Sequence, residues 1–338
     1  MRLGSRSIFL AAPLLALLLL SSCSFDRMAT SMVADALSSP GGSSVFTGEE
    51  DPQLVEDALP FALKLYETLL QSQPEHRGLL ESAAEGFVSY ANAFIHTPAS
   101  QLGYDQLERQ KEMYARARSM YLRGRDYALR SLETESAGIT AAILSGEGAE
   151  MLREMKEEQV NALYWAAAGW MGAVSTAGFD AGALMELPQA VTLAARALEL
   201  DEDFQQGAPH GLFIEIYAAV PDRTMLHGSS TLGIYGRGIL DEHYRSVGMS
   251  EADLEELTRY HFERAVELSD GQSASPYVAL ASGVSVKNQD AEEYRLLLQQ
   301  ALAIDPDKTP ENRLLNIITQ RKARWMLETI EDRFLILE

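Results

Sequence analysis

The sequence predicts an all-α fold, a degenerate array of helical hairpins with inserted helices. Three observations predict it. Apolar residues recur with helical period from Pro52 almost to the end of the 338-residue chain. No run alternates convincingly between apolar and polar residues as a half-buried strand does. Small residues also return at regular intervals, which is typical of repeat proteins.

The first strong helix start is Asp51-Pro52, because aspartate caps a helix N-terminus and proline suits the first turn. Pro60 is expected to kink or split this helix, since proline removes an internal hydrogen bond. The predicted helices cover residues 52–73, 76–96, 104–132, 149–178, 186–200, 208–219, 236–247, 250–269, 275–286, 289–304 and 310–335.

The spacing of small residues indicates units similar to tetratricopeptide repeats. The alanines at 128, 197, 265 and 301 are separated by 69, 68 and 36 residues. The first two intervals are close to twice, and the last close to once, the tetratricopeptide period of about 34 residues. Small residues at these positions would let paired helices approach closely. A plain helical bundle with chance alanine spacing is the alternative.

The start of the chain has the features of a bacterial lipoprotein signal. Arg2 and Arg6 precede an apolar stretch that is too short for a mature membrane span. Leu20-Ser21-Ser22-Cys23 then resembles a lipobox, in which the cysteine is acylated and becomes the new N-terminus. We therefore expect residues 1–22 to be a signal peptide and Cys23 to carry lipid. An ordinary secretory signal with an incidental cysteine is the alternative.

Residues 23–49 are predicted to be a lipidated N-terminus and a flexible tether. The run 38–44, Ser-Ser-Pro-Gly-Gly-Ser-Ser, has the composition of a linker that does not pack, and a short helix over 28–37 is compatible with the sequence. Residues 50–338 then form a single helical repeat domain. Since Cys23 is the only cysteine, this domain contains no disulfide, and its stability must come from its hydrophobic core.

The composition and the motifs argue against nucleic-acid binding and against catalysis. The formal net charge of −21 repels nucleic acid. No pair of histidines has the spacing of a helical zinc motif, and the glycine-rich stretch 228–238 lacks phosphate-loop and dinucleotide spacing. We interpret that stretch as a flexible loop. We expect a protein without enzyme activity, cofactor or metal.

Two helices carry the candidate ligand-lining residues. In the first, Ser89, Asn92 and His96 form a polar stripe, and Tyr90 belongs to the apolar stripe beside it. This polar stripe either faces water and neighbouring backbone or lines a cavity. Ser89 and His96 would then lie at the rim of that cavity.

The second candidate helix, over 162–178, is apolar nearly all round and is expected to be central and buried. A membrane span is its rival interpretation. Its large residues Tyr164, Trp165 and Trp170 alternate with alanines and with Gly169, so the small residues permit either close helix packing or open space. Because the two helices carry few basic residues, the expected ligand is a small apolar or amphipathic organic molecule rather than a multiply charged acid.

Several sequence blocks, in order behind the lipobox, resemble the T component associated with TRAP transporters, the TatT lipoproteins. The resemblance covers most of residues 45–330. The last blocks, such as Ala301-Leu-Ala-Ile-Asp305-Pro306-Asp307, could alone belong to many helical repeat proteins. The ordered set with the lipobox in front is much more specific, and it includes Phe46-Thr-Gly-Glu-Glu-Asp51-Pro, Ala58-Leu-Pro60-Phe61-Ala-Leu-Lys64, Gly86-Phe-Val-Ser-Tyr90-Ala-Asn-Ala-Phe94, Gly207-Ala-Pro-His210 and His261-Phe-Glu-Arg-Ala265.

The resemblance implies a periplasmic, membrane-tethered scaffold with cryptic tetratricopeptide repeats. It implies association with the periplasmic solute-binding protein of a TRAP transporter, a system that takes up organic acids and related small molecules. It also implies homo-oligomers with a pore through each protomer, and it brings no catalytic motif. The expected location is the periplasmic side of a bacterial membrane. Ser24 favours the outer membrane, since it replaces the aspartate that retains lipoproteins in the inner membrane of enteric bacteria.

Two other functional classes stay open at this point. One is a general tetratricopeptide scaffold for envelope assembly that has no small-molecule ligand. The other is an enzyme, although no sequence feature indicates enzyme activity.

Overall fold

The computed structural model describes residues 32–178 and 180–335. Within these ranges the chain is 80% helical and contains no strand, which confirms the predicted all-α class. The expected signal peptide and Cys23 lie outside the described residues.

The main helices are numbered in chain order, and π-helical turns at Asn92–His96 and Ala281–Ser285 extend α3 and α13. The helices are α1 (Pro40–Thr47), α2 (Pro52–Ser72), α3 (Arg77–Ala91), α4 (Leu107–Glu135), α5 (Ile139–Ser145), α6 (Ala149–Arg153), α7 (Val160–Ser175), α8 (Ala181–Met185), α9 (Leu187–Leu200), α10 (Phe204–Ala219), α11 (Thr231–Ser246), α12 (Leu254–Leu268), α13 (Ser275–Leu280), α14 (Ala291–Ala303) and α15 (Arg313–Glu328).

The start of α2 confirms the predicted cap, because Asp51 accepts a hydrogen bond from the Gln53 backbone N–H at 3.0 Å. The expected split at Pro60 is wrong, because α2 continues through it as one helix. Leu59 and Leu63 flank this proline and are buried against α3, so both halves of the helix are held on one surface.

The segment predicted as an unpacked tether is also helical in part. α1 covers Pro40–Thr47 and packs on α15. Residues 32–37 are helical as well, with Ala34 fully buried. The glycine-rich composition of this segment therefore does not prevent it from docking on the helical domain.

The predicted single helix over 149–178 is divided into α6, a short 3₁₀ turn at Glu157–Gln159, and α7. As expected, α7 is central: Leu163, Ala166 and Ala167 are fully buried, and the helix packs against α3, α4 and α9. Among the described residues no helix has the length and apolarity needed to cross a bilayer.

The glycine-rich stretch 228–238 is not the flexible loop that the sequence suggested. α11 begins at Thr231 and contains Gly233 and Gly236. A Cβ atom at Gly236 would lie 2.2 Å from Thr192 Oγ1 on α9. Gly236 therefore allows α9 and α11 to approach closely, and tertiary packing outweighs its low helix propensity.

The helix array closes on itself. The longer helices pack in the order α2, α3, α4, α7, α9, α10, α12, α13, α14 and α15, which is consistent with a repeat array, and α15 then contacts α1 and α2 at the start of the domain. Arg313 donates a hydrogen bond to the Gly48 carbonyl oxygen at 3.2 Å across this seam. The consequence is a ring of helices with an interior, because the last helix completes the wall that the first begins.

Candidate functional site

Three ionisable side chains from three helices combine accessible surface with pKa values that burial shifts. They are Glu85 on α3, Glu215 on α10 and Lys322 on α15. Glu215 is exposed, and Glu85 and Lys322 keep part of their accessible surface, yet burial raises the pKa of both glutamates and lowers that of the lysine. A side chain has both properties when it faces an internal space that water enters but protein surrounds.

We call this space the central chamber and define it by Glu85, His96, Tyr164, Glu215 and Lys322. After burial, the glutamates at 85 and 215 are the next causes of the raised Tyr164 pKa. Likewise Lys322 adds to the effect of burial that lowers the His96 pKa to about 4. These pairwise interactions, together with the one between Glu215 and Lys322, link the five side chains, although they come from separate parts of the chain.

The three chamber charges have no direct partners. Among the described residues, Glu85, Glu215 and Lys322 make no ion pair and no hydrogen bond. Burial, with a smaller contribution from the neighbouring Glu81 carboxylate, raises the pKa of Glu85 to about 7. Glu215 and Lys322 partly offset the effect of burial on each other, so they attract across the chamber without touching.

A hydrogen-bonded group centred on Tyr121 forms part of the chamber wall. Its hydroxyl lies 3.1 Å from His96 Nδ1, and Asn92 also bonds to it. Asn92 and His96 sit at the two ends of the first π-helical turn. Such turns are rare and occur often at functional sites, because they redirect side chains from the regular helical positions.

The structure brings three of the predicted lining residues to the chamber and its wall: Asn92, His96 and Tyr164. Ser89 lies on the same face of α3, one turn after Glu85. Tyr90 is buried elsewhere, with its ring 5.7 Å from that of Phe94.

The other three predicted residues belong to the packed part of α7. Trp165 is buried beside Tyr164, and its indole N–H has no hydrogen-bond partner among the described residues. The Trp170 indole donates to Glu186 Oε2 at 2.7 Å. A Cβ atom at Gly169 would lie 2.9 Å from the Tyr121 carbonyl oxygen, so this glycine is a helix contact. We leave Gly169 and Trp170 out of the proposed lining.

Sequence reasoning missed all three chamber charges, and two of them had left a signal. Glu215 is the single charge in the apolar run Leu212-Phe-Ile-Glu-Ile-Tyr217. Glu85 extends the polar stripe of Ser89 and Asn92 by one turn. Lys322 gave no signal, because it stands in the basic stretch Arg321-Lys-Ala-Arg324, which resembles an ordinary solvated helix face.

A second polar feature, a chain of buried hydrogen bonds, crosses α10, α11 and α12. His210 Nε2 lies 3.3 Å from a carboxylate oxygen of Glu202, which can only accept, so His210 donates there. Its Nδ1 then accepts from His261 Nδ1 at 2.8 Å. His261 Nε2 in turn accepts from the Tyr244 hydroxyl at 2.8 Å, and Tyr217 donates to Tyr244. Every member is satisfied while both histidines are neutral.

A surface groove of about 700 Å³ lies outside this network, between α9, α11 and α12. Several of its polar side chains are already paired: Arg264 donates to Glu202 at 2.7 Å, and His243 bonds the Tyr260 hydroxyl at 3.0 Å. In the described part of the chain, no group of histidine, cysteine, aspartate or glutamate side chains could hold a metal ion. The central chamber is therefore the stronger candidate site, because its charges are unpaired.

Comparison with known families agrees with a transport role. The family model described as TRAP transporter T-component matches residues 48–229 and 253–334, which is most of the chain. The chain belongs to this family. A Treponema pallidum (strain Nichols) protein, described as an uncharacterized protein, is 32% identical over 333 residues, covering 94% of this T-component and 95% of its own length. The family is an accessory subunit of a transporter and not a known family of enzymes.

Proposed function

We propose that this T-component is a lipid-anchored periplasmic subunit that holds a small organic ligand in its central chamber and works with the solute-binding protein of a TRAP transporter. The family match supports the link to TRAP transport. The observation that carries the ligand part is the presence of unpaired Glu85, Glu215 and Lys322 in the interior. Unpaired interior charges oppose folding, and sites that bind ligands are where proteins retain them.

The chamber wall suits a molecule with an apolar body and few polar groups. The Tyr164 ring packs 5.3 Å from the Phe204 ring and supplies apolar surface. Asn92 and His96 supply hydrogen-bonding groups on another part of the wall. This combination of apolar surface and hydrogen-bonding groups is typical of small-molecule sites.

The N-terminal lipid is proposed to hold the chamber at the periplasmic face of a membrane, with the outer membrane preferred. Acyl chains on Cys23 would anchor the protein stably if two or more were attached. The acidic surface favours a protein partner with basic patches, and such an association should weaken as salt rises.

One experiment tests the anchor and the partner together. Tagged full-length protein and its Cys23→Ser variant are expressed in the native host and captured from membrane and soluble fractions. We expect wild type in the membrane fraction, labelled by palmitate, and Cys23→Ser without label. The partner surface belongs to the helical domain, so both proteins should capture the solute-binding protein, and less of it at high salt.

Two results would contradict the proposal. Palmitate labelling of Cys23→Ser would exclude the anchor. Capture of envelope-assembly factors alone, without any solute-binding protein, would favour a general scaffold instead.

A further inference from the structure

The outer face of α2 carries apolar side chains that the fold leaves uncovered. Four of them recur at intervals of four, three and four residues and therefore lie on one face of the helix: Leu54, Ala58, Phe61 and Leu65. Leu54 is 55% exposed and Phe61 is 76% exposed. Ala58 is exposed as well, and Leu65 is half-buried. We call these four side chains the α2 stripe.

The α2 stripe is separate from the core face of the helix and differs from an ordinary exposed leucine. The buried side chains of α2 include Leu59 and Leu63, which lie against α3. On α14, Leu296 has the same 55% exposure as Leu54. The residues three and four positions from it are all polar: Glu292, Glu293, Gln299 and Gln300. Single exposed apolar side chains are common on protein surfaces, whereas a contiguous stripe marks a contact surface.

The charge beside the stripe is balanced, unlike that of the chain as a whole. Within α2, the residues three or four positions from a stripe residue include one acid, Asp57, and one base, Lys64. The formal net charge of the whole chain is −21. A nearly neutral apolar face suits an uncharged or zwitterionic surface and gives no electrostatic attraction to a basic one.

The described chain begins beside the end of α2. Asp35 forms an ion pair with His76 Nε2 at 3.1 Å, in the turn between α2 and α3. A Cβ atom at Gly78, at the start of α3, would lie 2.6 Å from Ser38 Oγ, so this segment packs there closely. Cys23 stands nine residues before Met32, and that length of chain spans at most about 30 Å when fully extended. Acyl chains on Cys23 would therefore hold the end of α2 close to a bilayer.

We propose that the α2 stripe contacts the phospholipid surface to which Cys23 anchors the protein, with Leu54 and Phe61 inserted among the lipid headgroups. This inference rests on the proposed lipid anchor and names the face of the domain that is turned toward the membrane. The stripe extends over about 17 Å of helix, which lies within reach of the anchored end.

The size of the stripe favours a lipid surface over a second protein. A stable protein interface takes about 20–30 residues from each side, and the stripe consists of four. A few apolar side chains are enough at a bilayer when acyl chains already hold the protein there, because the tether keeps the local concentration of the surface high.

The test places a fluorescent label on the stripe of the full-length lipidated protein. Cys23 is the only cysteine of the chain and would be acylated, so the thiol of Ala58→Cys takes a polarity-sensitive fluorophore at one position. The protein is reconstituted into vesicles of phosphatidylcholine and phosphatidylethanolamine that contain lipids with nitroxide groups near the headgroup. The label should be quenched and its emission should shift to shorter wavelength, because an apolar helix face enters the interface by about 5–10 Å. A label on the exposed Glu292→Cys should show neither effect.

Substitutions in the stripe assign the contact. Leu54→Asp and Phe61→Asp should each reduce quenching of the Ala58→Cys label, and together they should reduce it to the level of the Glu292→Cys label. Leu296→Asp is the matched control, because Leu296 is as exposed as Leu54, and it should change nothing. Added salt should leave the quenching unchanged, since the stripe carries no net charge. Thermal melting verifies that each variant is folded.

The outcomes separate this inference from the proposed function. If the protein floats with the vesicles but the Ala58→Cys label is quenched no more than the Glu292→Cys label, the stripe contact is wrong and the anchor stands. Absence of the protein from the vesicles, without palmitate label, contradicts the anchor and overturns the stripe contact with it. An unquenched Ala58→Cys label, combined with loss of solute-binding protein capture in Phe61→Asp, would assign the stripe to a protein partner. Failed capture with quenching intact contradicts only the transporter role.

Discussion

At the scale of single residues, the unusual feature of this T-component is that Glu85, Glu215 and Lys322 are surrounded by protein but form no ion pair or hydrogen bond among the described residues. Buried ionisable groups in proteins are normally paired or neutralised. Glu85 illustrates the second case, because burial and the Glu81 carboxylate bring its pKa to about 7. The pKa of Glu215 is also raised, but Lys322 lowers it in opposition to burial. The two carboxyls of the chamber therefore have different tendencies to ionise.

Glu85→Gln should stabilise the protein at pH 8 by about 2 kcal/mol and have little effect at pH 5. The folded pKa lies above the ordinary value of 4.5. The contribution of Glu85 to stability is therefore greatest below pH 4.5, and it is lost as the pH rises through about 7, where the folded carboxyl is half ionised. Urea unfolding at both pH values measures this difference. The exposed Glu75→Gln is the matched control, and equal stabilisation at pH 5 and pH 8 would show that charge is not the cause.

At the scale of helices, small residues lie where two helices pack closely against each other. Gly169 brings α7 against the backbone of α4, and Gly236 brings α11 against α9. Both glycines lie inside helices, where glycine costs about 1 kcal/mol relative to alanine. Their positions show that helix contact, and not chain flexibility, accounts for them.

Gly169→Ala should lower the free energy of unfolding by about 1–3 kcal/mol, because its Cβ would meet the Tyr121 carbonyl oxygen and the Arg125 backbone nitrogen. Gly211→Ala on α10 is the matched control: a Cβ there meets nothing within 4 Å, so the change should be neutral or stabilising by up to about 1 kcal/mol. Chemical denaturation compares the two. Equal effects would mean that α4 and α7 separate easily at this contact.

The sequence predicts helices well where a local signal marks their ends, as Asp51 does for α2. It fails where tertiary contact decides: the glycines of α11 suggested a loop, and the contact that explains Gly236 is with Thr192, which is distant in the chain. The candidate site shows the same difference between local and distant signals. Helix periodicity alone predicted Asn92, His96 and Tyr164 as lining residues. Lys322 could not be, because only closure of the ring brings α15 to the chamber.

At the scale of the whole molecule, burial of neutral histidines couples stability to pH. His96, His210 and His227 each have a pKa lowered to about 4, chiefly by burial. His261, within the same hydrogen-bonded chain as His210, is shifted in the same direction. The folded protein resists protonation at all of these positions between pH 6.5 and 4.

We therefore expect the free energy of unfolding to fall by about 2–4 kcal/mol per pH unit as the pH drops from about 6 to 4. The unfolded chain takes up protons near pH 6.5, whereas the folded chain takes them up only near pH 4, so acid favours unfolding. Glu85 acts in the opposite direction but is one group against several. Urea unfolding at pH 7.5, 6 and 5 measures the slope. A stability maximum at pH 5 would contradict it.

The seam between Arg313 and Gly48 has a consequence for how such a protein can vary. An open solenoid can gain or lose a hairpin at either end and keep its remaining surface. A closed circuit of helices has a fixed circumference. One hairpin more or fewer would therefore separate α15 from α1 and α2 and open the interior to bulk water. Divergence should then fall in surface loops and leave the count of hairpins unchanged. The Treponema pallidum protein, aligned over 95% of its own length, has an extent compatible with that constraint.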